Sequence, residues 1–495
     1  MKIKIKTLLT PFNLILAVIL LAAFFIRVYR IDTLLGFYYD QGRDALVIWD
    51  LLNKGKFFLI GPVTGIEGIF RGPLYYYLIA PFYLLGKGSP VWPSVFLALT
   101  TVVSLWLIYH LGLKIQGKAT GITAVLLGGF SYRLMMASRW LSNPTPMFLL
   151  SMILVWMMFL VMEKKRWAWI VISFVAGASL FHFGSAGEFF YFPALFIFAL
   201  WQRKNLPKRR EITFSIIAFA STFLPLLLFD IKHAGILSGN IKKFLLEERS
   251  FAPPTWRFVL DKMEFYYSVV SNKIFYGVYE KETIILSLIA LAFVYYLSVL
   301  LKNDRVKVLL LLLASPFLGL IFFQGNFGNI YDYYLTGYYL IFILLLAVTL
   351  GQLWKFFLGK VFVVYFLYFF LSNNLLPLYA TLTDRAEDDR SVAFVNQKKA
   401  IEWIYQDAKD KNFNVDIYVP PVIPYAYDYL FKWYGGSRYA RQPVETQVPL
   451  LYTLYEVDPS HPERLDAWLK RQAGIGKAEQ GASFGGITVQ RRMRL

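Results

Sequence analysis

The sequence predicts an all-α polytopic membrane protein with about eleven transmembrane helices and a small soluble α/β domain at its C-terminal end. Of the 495 residues, 57% are hydrophobic and 18% are aromatic, which is too apolar for a soluble domain of this length. About twenty apolar residues are needed to cross roughly 30 Å of hydrocarbon as a helix. The candidate spans lie at 8–28, 91–112, 119–137, 144–162, 167–183, 187–201, 211–229, 283–301, 307–323, 333–352 and 360–376.

The basic residues predict the orientation of these spans. Every second connection is short and basic, which is typical of cytoplasmic loops. The residues concerned are Lys2, Lys4, Lys6, Lys114, Lys118, Lys164, Lys165, Arg166, Arg203, Lys204, Lys208, Arg209, Arg210, Lys302, Arg305, Lys307, Lys355 and Lys360. We therefore expect a multi-pass protein of the plasma (inner) membrane with a cytoplasmic N-terminus and an extracytoplasmic C-terminal domain. This topology accounts for the net charge of +19, so no nucleic-acid partner is expected.

Two further apolar stretches bear on this topology. The first span is long and lacks a small-residue cleavage site, so we expect a retained helix rather than a signal peptide. The run 73–85 is only about 13 residues long, a length typical of re-entrant or interfacial segments. We expect it at the outer membrane surface, because a crossing there would move every later basic loop to the outer face.

The chain divides into a membrane module, 1–380, and a C-terminal domain, 381–495. The module carries two long outer connections, 29–91 and 230–282. In the tail, hydrophobicity falls and the charges become nearly balanced. The patterns there predict helices over 392–409, 425–433 and 462–472, and strands over 415–419, 450–457 and 486–490. The aromatic stretch 425–433 is either a contact surface for an acceptor or partner, or part of the domain core.

The segment 35–56 predicts an amphipathic helix directly outside the first span. Asp40 is expected at its N-cap, and Asp44 follows four residues later. The apolar stripe consists of Ala45, Leu46, Ile48, Trp49, Leu51 and Leu52. These carboxylates have a structural interpretation, since Asp caps helices and complements their dipole. They also have a chemical one, as candidate proton acceptors.

The order of motifs distinguishes between these interpretations. The helix carries Asp40-Gln41-Gly42-Arg43-Asp44-Ala45, and the short apolar run opens with Arg71-Gly72-Pro73-Leu74-Tyr75-Tyr76-Tyr77-Leu78. Later come Arg139-Trp140-Leu141-Ser142-Asn143, between the third and fourth spans, and Tyr333-Tyr334-Leu335. Over residues 1–350 this order resembles the GT-C superfamily of lipid-linked-sugar glycosyltransferases. The closest resemblance is to the branch containing protein O-mannosyltransferases and aminoarabinose transferases.

The resemblance implies a reaction and a catalytic residue. A sugar on a polyprenyl phosphate is attacked at its anomeric carbon by an acceptor of unknown identity, a carboxylate takes the acceptor's proton, and the configuration inverts. The family's Asp-Glu pair reads Asp40-Gln41 here, and its His-Pro pair reads Gly72-Pro73. Asn143 stands where an acidic residue is common in the family. The catalytic role therefore falls on Asp40, with Asp44 as the competing carboxylate.

The leaving phosphate requires cations at the outer interface. Arg139 is the first candidate, because it lies in a short outer turn where positive charge is otherwise rare. Its alternative is snorkelling to lipid headgroups. Arg71 and Lys232 are the other candidates for the donor phosphate.

Further residues are expected in the substrate pocket: Glu67, Tyr75, His182, Glu188 and Asn143. For His182 and Glu188, an interhelical hydrogen bond is an equally good interpretation. No cofactor is expected. The alternative is Mg²⁺ or Mn²⁺ held by Asp40, Asp44 and Glu67, since these ions prefer carboxylate oxygens.

A lipid or polysaccharide transporter is the competing class of function. Transporters carry internal repeats and charged residues near the middle of their spans. Here no repeat is evident, and ionisable residues cluster at span ends and in outer loops. The sequence therefore favours a membrane glycosyltransferase acting on the outer face.

Overall fold

The computed structural model describes residues 11–66, 68–247, 251–323, 330–420 and 423–494. The α-helices are α1 (Pro11–Val28), α2 (Ile31–Leu34), α3 (Tyr39–Lys54), α4 (Leu74–Leu85), α5 (Val91–Ile115), α6 (Lys118–Phe130), α7 (Tyr132–Arg139), α8 (Met147–Met162), α9 (Ala168–Ala178), α10 (Tyr191–Trp201), α11 (Arg209–Lys232), α12 (Ile236–Lys242), α13 (Trp256–Ile274), α14 (Glu280–Leu300), α15 (Asp304–Phe322), α16 (Tyr339–Leu353), α17 (Phe357–Thr383), α18 (Phe394–Ala408), α19 (Tyr425–Leu430), α20 (Gly436–Tyr439) and α21 (Pro462–Ile475). Short 3₁₀ or π turns cover Ser179–Phe183, Glu188–Phe190, Arg203–Asn205, Lys243–Glu247, Asp332–Tyr338 and Phe431–Gly435.

Each predicted span contains an apolar helix. The span 119–137 is divided, because its apolar helix ends at Phe130 and residues 132–137 belong to the separate helix α7. Residues 8–10 of the first span lie outside the described residues. Seven helical segments in the described part of the chain are long and apolar enough to cross a membrane: Pro11–Leu34, Val91–Ile115, Arg209–Lys232, Glu280–Leu300, Asp304–Phe322, Asp332–Leu353 and Phe357–Thr383. The other predicted spans correspond to shorter apolar helices, at Lys118–Phe130, Met147–Met162, Ala168–Phe183 and Glu188–Trp201. The predicted fold class is confirmed.

Burial differs sharply between these helices. In the 18-residue apolar stretch of Asp332–Leu353, 89% of the residues are buried inside the fold. Helix α16, which ends this segment, packs against α5, α6, α8, α14, α15 and α17. In the 18-residue apolar stretch of Arg209–Lys232, only 11% of the residues are buried. A helix that exposes apolar side chains all along its length suits a lipid environment, because its backbone groups are satisfied internally. The core of the module is therefore centred on α16, and α11 lies at its periphery.

The short apolar run forms α4, a helix of 12 residues with Pro81 inside it. It packs against α3 and α5. Its length agrees with the prediction of a segment too short to cross.

The tail contains a four-stranded sheet, which confirms the predicted α/β character. The strands are β1 (Asn414–Tyr418), β2 (Leu450–Glu456), β3 (Gly476–Phe484) and β4 (Ile487–Arg494), in the order β1-β2-β4-β3. β1 runs parallel to β2, and the β2–β4 and β4–β3 pairs are antiparallel. Tyr452 packs on Trp403 of α18 and Tyr455 on Trp468 of α21. Because the two tyrosines are three residues apart, they point to opposite faces, and the sheet lies between these helices.

Strand β3 was not predicted from the sequence. Its residues are polar and largely exposed, and a bulge interrupts its pairing between Ala478 and Gln480. An exposed edge strand needs no alternation of apolar side chains, so periodicity gives no signal there. The predicted boundary after residue 380 falls inside the last turn of α17, which runs to Thr383.

The tail contacts the first outer connection directly. Helix α19 packs along α3, and the rings of Tyr425 and Tyr39 are 5.0 Å apart. Tyr427 and Tyr429 are fully buried in the fold. Of the two interpretations of 425–433, the core interpretation is correct and the exposed contact surface is wrong.

Candidate active site

Helix α3 begins at Tyr39, so Asp40 lies in its first turn and Tyr38 is the N-cap. The prediction of Asp40 as the N-cap is wrong, because Gln41 takes over the capping. Its Oε1 accepts a hydrogen bond from the backbone N–H of Tyr38 at 3.1 Å, and its Nε2 donates to the carbonyl of Leu141 at 3.1 Å. Asp40 is thereby left without a capping task.

Arg43 joins the two carboxylates of this helix. Its Nη1 lies 2.8 Å from Asp40 Oδ1, and its Nη2 lies 2.8 Å from Asp44 Oδ1. Asp40 exposes 60% of its side chain and Asp44 only 8%. Asp44 also accepts a hydrogen bond of 2.8 Å from the hydroxyl of Tyr76. Burial raises the pKa of Asp44 to about 6, against the opposing effect of the Arg43 charge.

Asp40 faces a cavity of about 670 Å³. Its walls come from the first outer connection, α7, the turn 142–145, α13 and the segment 332–339. The charged lining residues are Asp40, Arg71, Arg133, Arg139, Lys273 and Asp332. Asp44 is not among the lining residues. The structure thus separates the two candidate carboxylates, one in the cavity and one buried behind it.

Arg139 lines the cavity and also caps the C-terminal end of α1. Its Nη1 donates to the carbonyls of Ile26, Arg27 and Tyr29 at 2.9 to 3.0 Å. The residue is only 6% exposed, and within the described chain its Nη2 has no hydrogen-bond partner. Among the described residues, the fully buried Arg27 beside it bonds only backbone carbonyls, those of Ala23, Gly128 and Gly129. Neither guanidinium has a carboxylate in salt-bridge range among the described residues. The positive charge of Arg139 in the cavity wall, and that of Arg27 behind it, is therefore not compensated by a carboxylate there.

The other two predicted phosphate ligands lie in different places. Arg71 lines the cavity, where its Nη2 is 3.4 Å from Ser185 Oγ. Burial lowers its pKa, opposed by the charge of Glu188. Lys232 lies exposed at the C-terminal end of α11 and does not line the cavity. The structure therefore brings Arg71 and Arg139 together and leaves Lys232 apart.

The predicted pocket residues also separate. Asn143 lines the cavity, and its Nδ2 donates to the carbonyl of Phe183 at 3.3 Å. Tyr75 is fully buried in α4 and does not line the cavity. Glu67 lies outside the described residues.

His182 and Glu188 form the interhelical contacts that the alternative interpretation expected. His182 Nδ1 accepts from the N–H of Leu74 at 3.3 Å, and its Nε2 lies 2.7 Å from the carbonyl of Thr222. A Cβ at Gly72 would come within 2.2 Å of the His182 ring, so this approach requires glycine. Glu188 accepts from the N–H groups of Ser185 at 2.6 Å and of Gly337 at 2.9 Å.

No group of three His, Asp or Glu side chains with the arrangement of a metal site occurs in the described residues. Arg43 already contacts both Asp40 and Asp44, and the third carboxylate of the predicted site, Glu67, is not described. The magnesium or manganese site therefore stays an untested alternative.

An apolar groove of about 500 Å³ adjoins the charged cavity. It lies between α13, α14, α15 and α16, and its lining includes Tyr266, Phe293, Leu313, Ala314, Phe317 and Leu345. Lys273 and Tyr339 line both the groove and the cavity. Lys273 is 2.9 Å from Asp332 Oδ2, and burial lowers its pKa, opposed by the Asp332 charge. The charged cavity and the apolar groove thus share Lys273 and Tyr339 as lining residues.

Sequence reasoning missed Lys273, Arg133 and Asp332. Lys273 ends the amphipathic helix α13, where a basic residue in the last turn is a common feature of helices. Arg133 is the second residue of α7, which the single residue Ser131 separates from α6. All three are single charges without a motif, and only the fold brings them to the cavity that Asp40 lines.

Comparisons with known proteins agree with this architecture. The family model for dolichyl-phosphate-mannose-protein mannosyltransferase matches residues 71–229. Two crystal structures of ArnT from Cupriavidus metallidurans, one bound to undecaprenyl phosphate and one in the apo state, each superpose with a TM-score of 0.62. Each shares 10% sequence identity with this chain, and each superposition covers 97% of both chains. The chain has a GT-C glycosyltransferase fold.

The resemblance inferred from the motifs is therefore confirmed. No curated protein matches the chain in sequence.

Proposed function

We propose that this chain transfers a sugar from a polyprenyl-phosphate donor to an acceptor hydroxyl or amine at the outer face of the membrane, with inversion and with Asp40 as the general base. The observation that carries the proposal is the junction at Lys273 and Tyr339. These two residues line both the charged cavity and the apolar groove.

A polyprenyl-phosphate sugar has two parts that match these two spaces. Its isoprenoid chain is apolar and suits a groove lined by aliphatic and aromatic side chains. Its phosphate is anionic and suits a point where an ammonium group is held at the end of that groove. The sugar then lies in the cavity, together with Asp40. The ArnT structure with bound undecaprenyl phosphate, although only 10% identical, supports the same class of donor.

Asp40 is the better of the two candidate bases. Its carboxylate is exposed to the cavity, whereas Asp44 is enclosed by Arg43 and Tyr76. In the proposed step the acceptor oxygen or nitrogen forms a bond to the anomeric carbon as its proton passes to Asp40. The bond between the anomeric carbon and the phosphate oxygen breaks, and the phosphate leaves with the electron pair. Attack opposite to the leaving group inverts the configuration.

Arg139 supports the departure of the phosphate. Its Nη2 has no partner in the described residues, and Arg27 behind it adds a second unpaired charge. A buried guanidinium without a counter-ion is costly, and an anion in the cavity relieves that cost. The negative charge that develops on the leaving phosphate is stabilised most strongly by cations already fixed in place. Lys273 and Arg139 meet this requirement.

We further propose that the reaction needs no divalent metal. Arg43 contacts both Asp40 and Asp44 and supplies the positive charge that a metal bridging them would supply. Transfer activity that survives incubation with EDTA supports this point. Activity lost with EDTA and restored by Mg²⁺ or Mn²⁺ contradicts it and indicates a site that includes Glu67.

The direct test of the proposed function uses the purified chain in bilayers. A polyprenyl-phosphate donor with a radiolabelled sugar is added together with a membrane extract as the source of acceptor. We expect release of polyprenyl phosphate and movement of the label to an acceptor in the extract. A soluble nucleotide-sugar donor serves as the control. Transfer from the nucleotide sugar but not from the lipid donor would contradict the proposal.

A further inference from the structure

The C-terminal unit, α18 to β4, packs on the side of α3 that faces away from the cavity. At 3.6 residues per turn, Gly42 and Trp49 lie about 200° and 180° around the helix from Asp40. Gly42 touches the backbone of α19, and the Trp49 ring is 6.1 Å from that of Tyr429. The helix that presents Asp40 is therefore supported from behind by the tail.

At Gly42 the backbones of α3 and α19 approach each other closely. A Cβ built on Gly42 would lie 2.3 Å from the backbone N of Ala426 and 2.4 Å from the carbonyl carbon of Tyr425. Only glycine allows two backbones to approach so closely. Since both nearby atoms belong to the backbone of α19, a side chain at position 42 must displace one helix or the other.

A second contact fixes the segment that leads into α3. Gln397 of α18 is fully buried, and its Nε2 donates to the carbonyl of Phe37 at 2.8 Å. The N–H of Phe394 donates to the carbonyl of Leu35 at 3.3 Å. The C-terminal unit is itself anchored to the membrane module, because Trp433 Nε1 donates to the carbonyl of Lys87 at 2.8 Å.

We propose that the C-terminal unit is a positioning element of the active site: through Gly42 and Gln397 it holds α3 so that Asp40 faces the donor cavity. The role of Asp40 rests on the proposed function, whereas the position of α3 does not. Gly42 and Gln397 are positioning residues, because they act only through the helix that carries the carboxylate.

The expected cost of a displacement is large. A shift of about 1 Å at a catalytic group can lower a rate by about 10²-fold, because reacting atoms must be held near contact distance. Substitution at Gly42 calls for a shift of this order. Since the groove and Lys273 lie on other elements, donor binding is expected to remain.

The test compares Gly42→Ala with Gly474→Ala. Gly474 lies in α21, and an added Cβ there meets nothing within 4 Å. Spin labels on cysteines at the exposed positions Asn53 and Glu280 report the position of α3 relative to α14, and the cysteine-free chain makes this labelling selective. Donor KM and kcat are measured in parallel with the polyprenyl-phosphate donor. Gln397→Leu, which removes the bond to Phe37, is the second variant.

We expect Gly42→Ala to change the label distance and to lower kcat about 10- to 100-fold, with donor KM within about twofold of wild type. Gln397→Leu should move the labels in the same way with a smaller loss of kcat, and Gly474→Ala should leave both unchanged. Should Gly42→Ala fail to fold, Gln397→Leu decides. An unchanged label distance in the folded variants overturns the proposal, and so does wild-type kcat alongside a changed distance. If wild type itself shows no transfer, the proposed function fails and the label distances still decide this inference.

Discussion

Lys273 Nζ lies 4.4 Å from the centre of the Tyr339 ring, and these two residues line both the charged cavity and the apolar groove. The lysine is 5% exposed, so its charge is held at a fixed point instead of moving freely in solvent. A donor with a charged head and an apolar chain would place its phosphate at this point.

Replacing this lysine should weaken donor binding. In Lys273→Gln the amide keeps hydrogen-bonding capacity but loses the charge, and a charged hydrogen bond contributes about 1.5–3 kcal/mol. We expect the donor KM to rise about 10- to 100-fold. Lys281→Gln, at an exposed position in the first turn of α14, is the matched control. Equal donor KM values in the two variants would remove Lys273 from the phosphate site.

Filling the groove should discriminate between donors by chain length. Ala314 lines the groove, and Ala314→Phe adds a ring where we place the isoprenoid chain. We expect transfer activity to fall more with long-chain polyprenyl donors than with donors that have a short prenyl chain. Only the long chain would occupy the space that the new ring fills. Ala290→Phe, on the exposed face of α14, is the control for a larger apolar side chain elsewhere. A uniform loss across chain lengths would contradict the assignment of the groove.

The buried Asp44 predicts a specific pH dependence of stability. Burial raises its pKa from the ordinary value of 3.8 to about 6, so the folded chain holds this proton more tightly than the unfolded chain does. The corresponding stabilisation, on the order of 3 kcal/mol, is present below about pH 4 and is lost as the pH rises through 6. Relative to wild type, Asp44→Asn should therefore gain thermal stability as the pH increases from 4 to 7. Asp50→Asn is a control of opposite sign: hydrogen bonds from Lys54 and Lys56 lower the pKa of Asp50, so the stability that this variant loses relative to wild type appears as the pH rises towards 4.

Much of this fold was accessible from the sequence, because each lipid-facing or core helix needs a long apolar stretch. Helix α16 and helix α11 both satisfy that rule, although one is central and the other peripheral. Hydropathy cannot tell them apart, since lipid and protein core are equally apolar solvents for a helix. The packing of the module therefore had to come from the structure.

The site was only partly accessible, for the same kind of reason. Asp40, Arg71 and Arg139 belong to motifs with a recognisable order, and the structure places all three at one cavity. Lys273 and Asp332 are 59 residues apart and carry no motif, so only folding brings them into contact. Gln41 shows the reverse case: it stands in the motif, yet its amide caps α3 and bonds Leu141.

The predicted topology can be tested by labelling. Ser437 is exposed on the C-terminal unit and provides a single cysteine in an otherwise cysteine-free chain. We expect a membrane-impermeant thiol reagent to label Ser437→Cys in intact cells from outside. Lys165→Cys, in a predicted cytoplasmic loop, should be labelled only after the membrane is opened. The opposite pattern would reverse the orientation and place the cavity on the cytoplasmic face.

The most direct test of Asp40 as the general base compares the transfer rates of Asp40→Asn and Asp44→Asn with a polyprenyl-phosphate sugar donor. Asp40→Asn keeps the size of the side chain and removes the proton acceptor, at a cost to helix α3 of about 0.3–1 kcal/mol. We expect it to fold and to bind the donor while transfer falls by about 10²–10⁴-fold. Asp44→Asn, which disturbs the contacts to Arg43 and Tyr76 outside the cavity, should lose less. Near-normal transfer by Asp40→Asn beside an inactive Asp44→Asn would move the base to Asp44, and full activity in both would contradict a carboxylate mechanism in this helix.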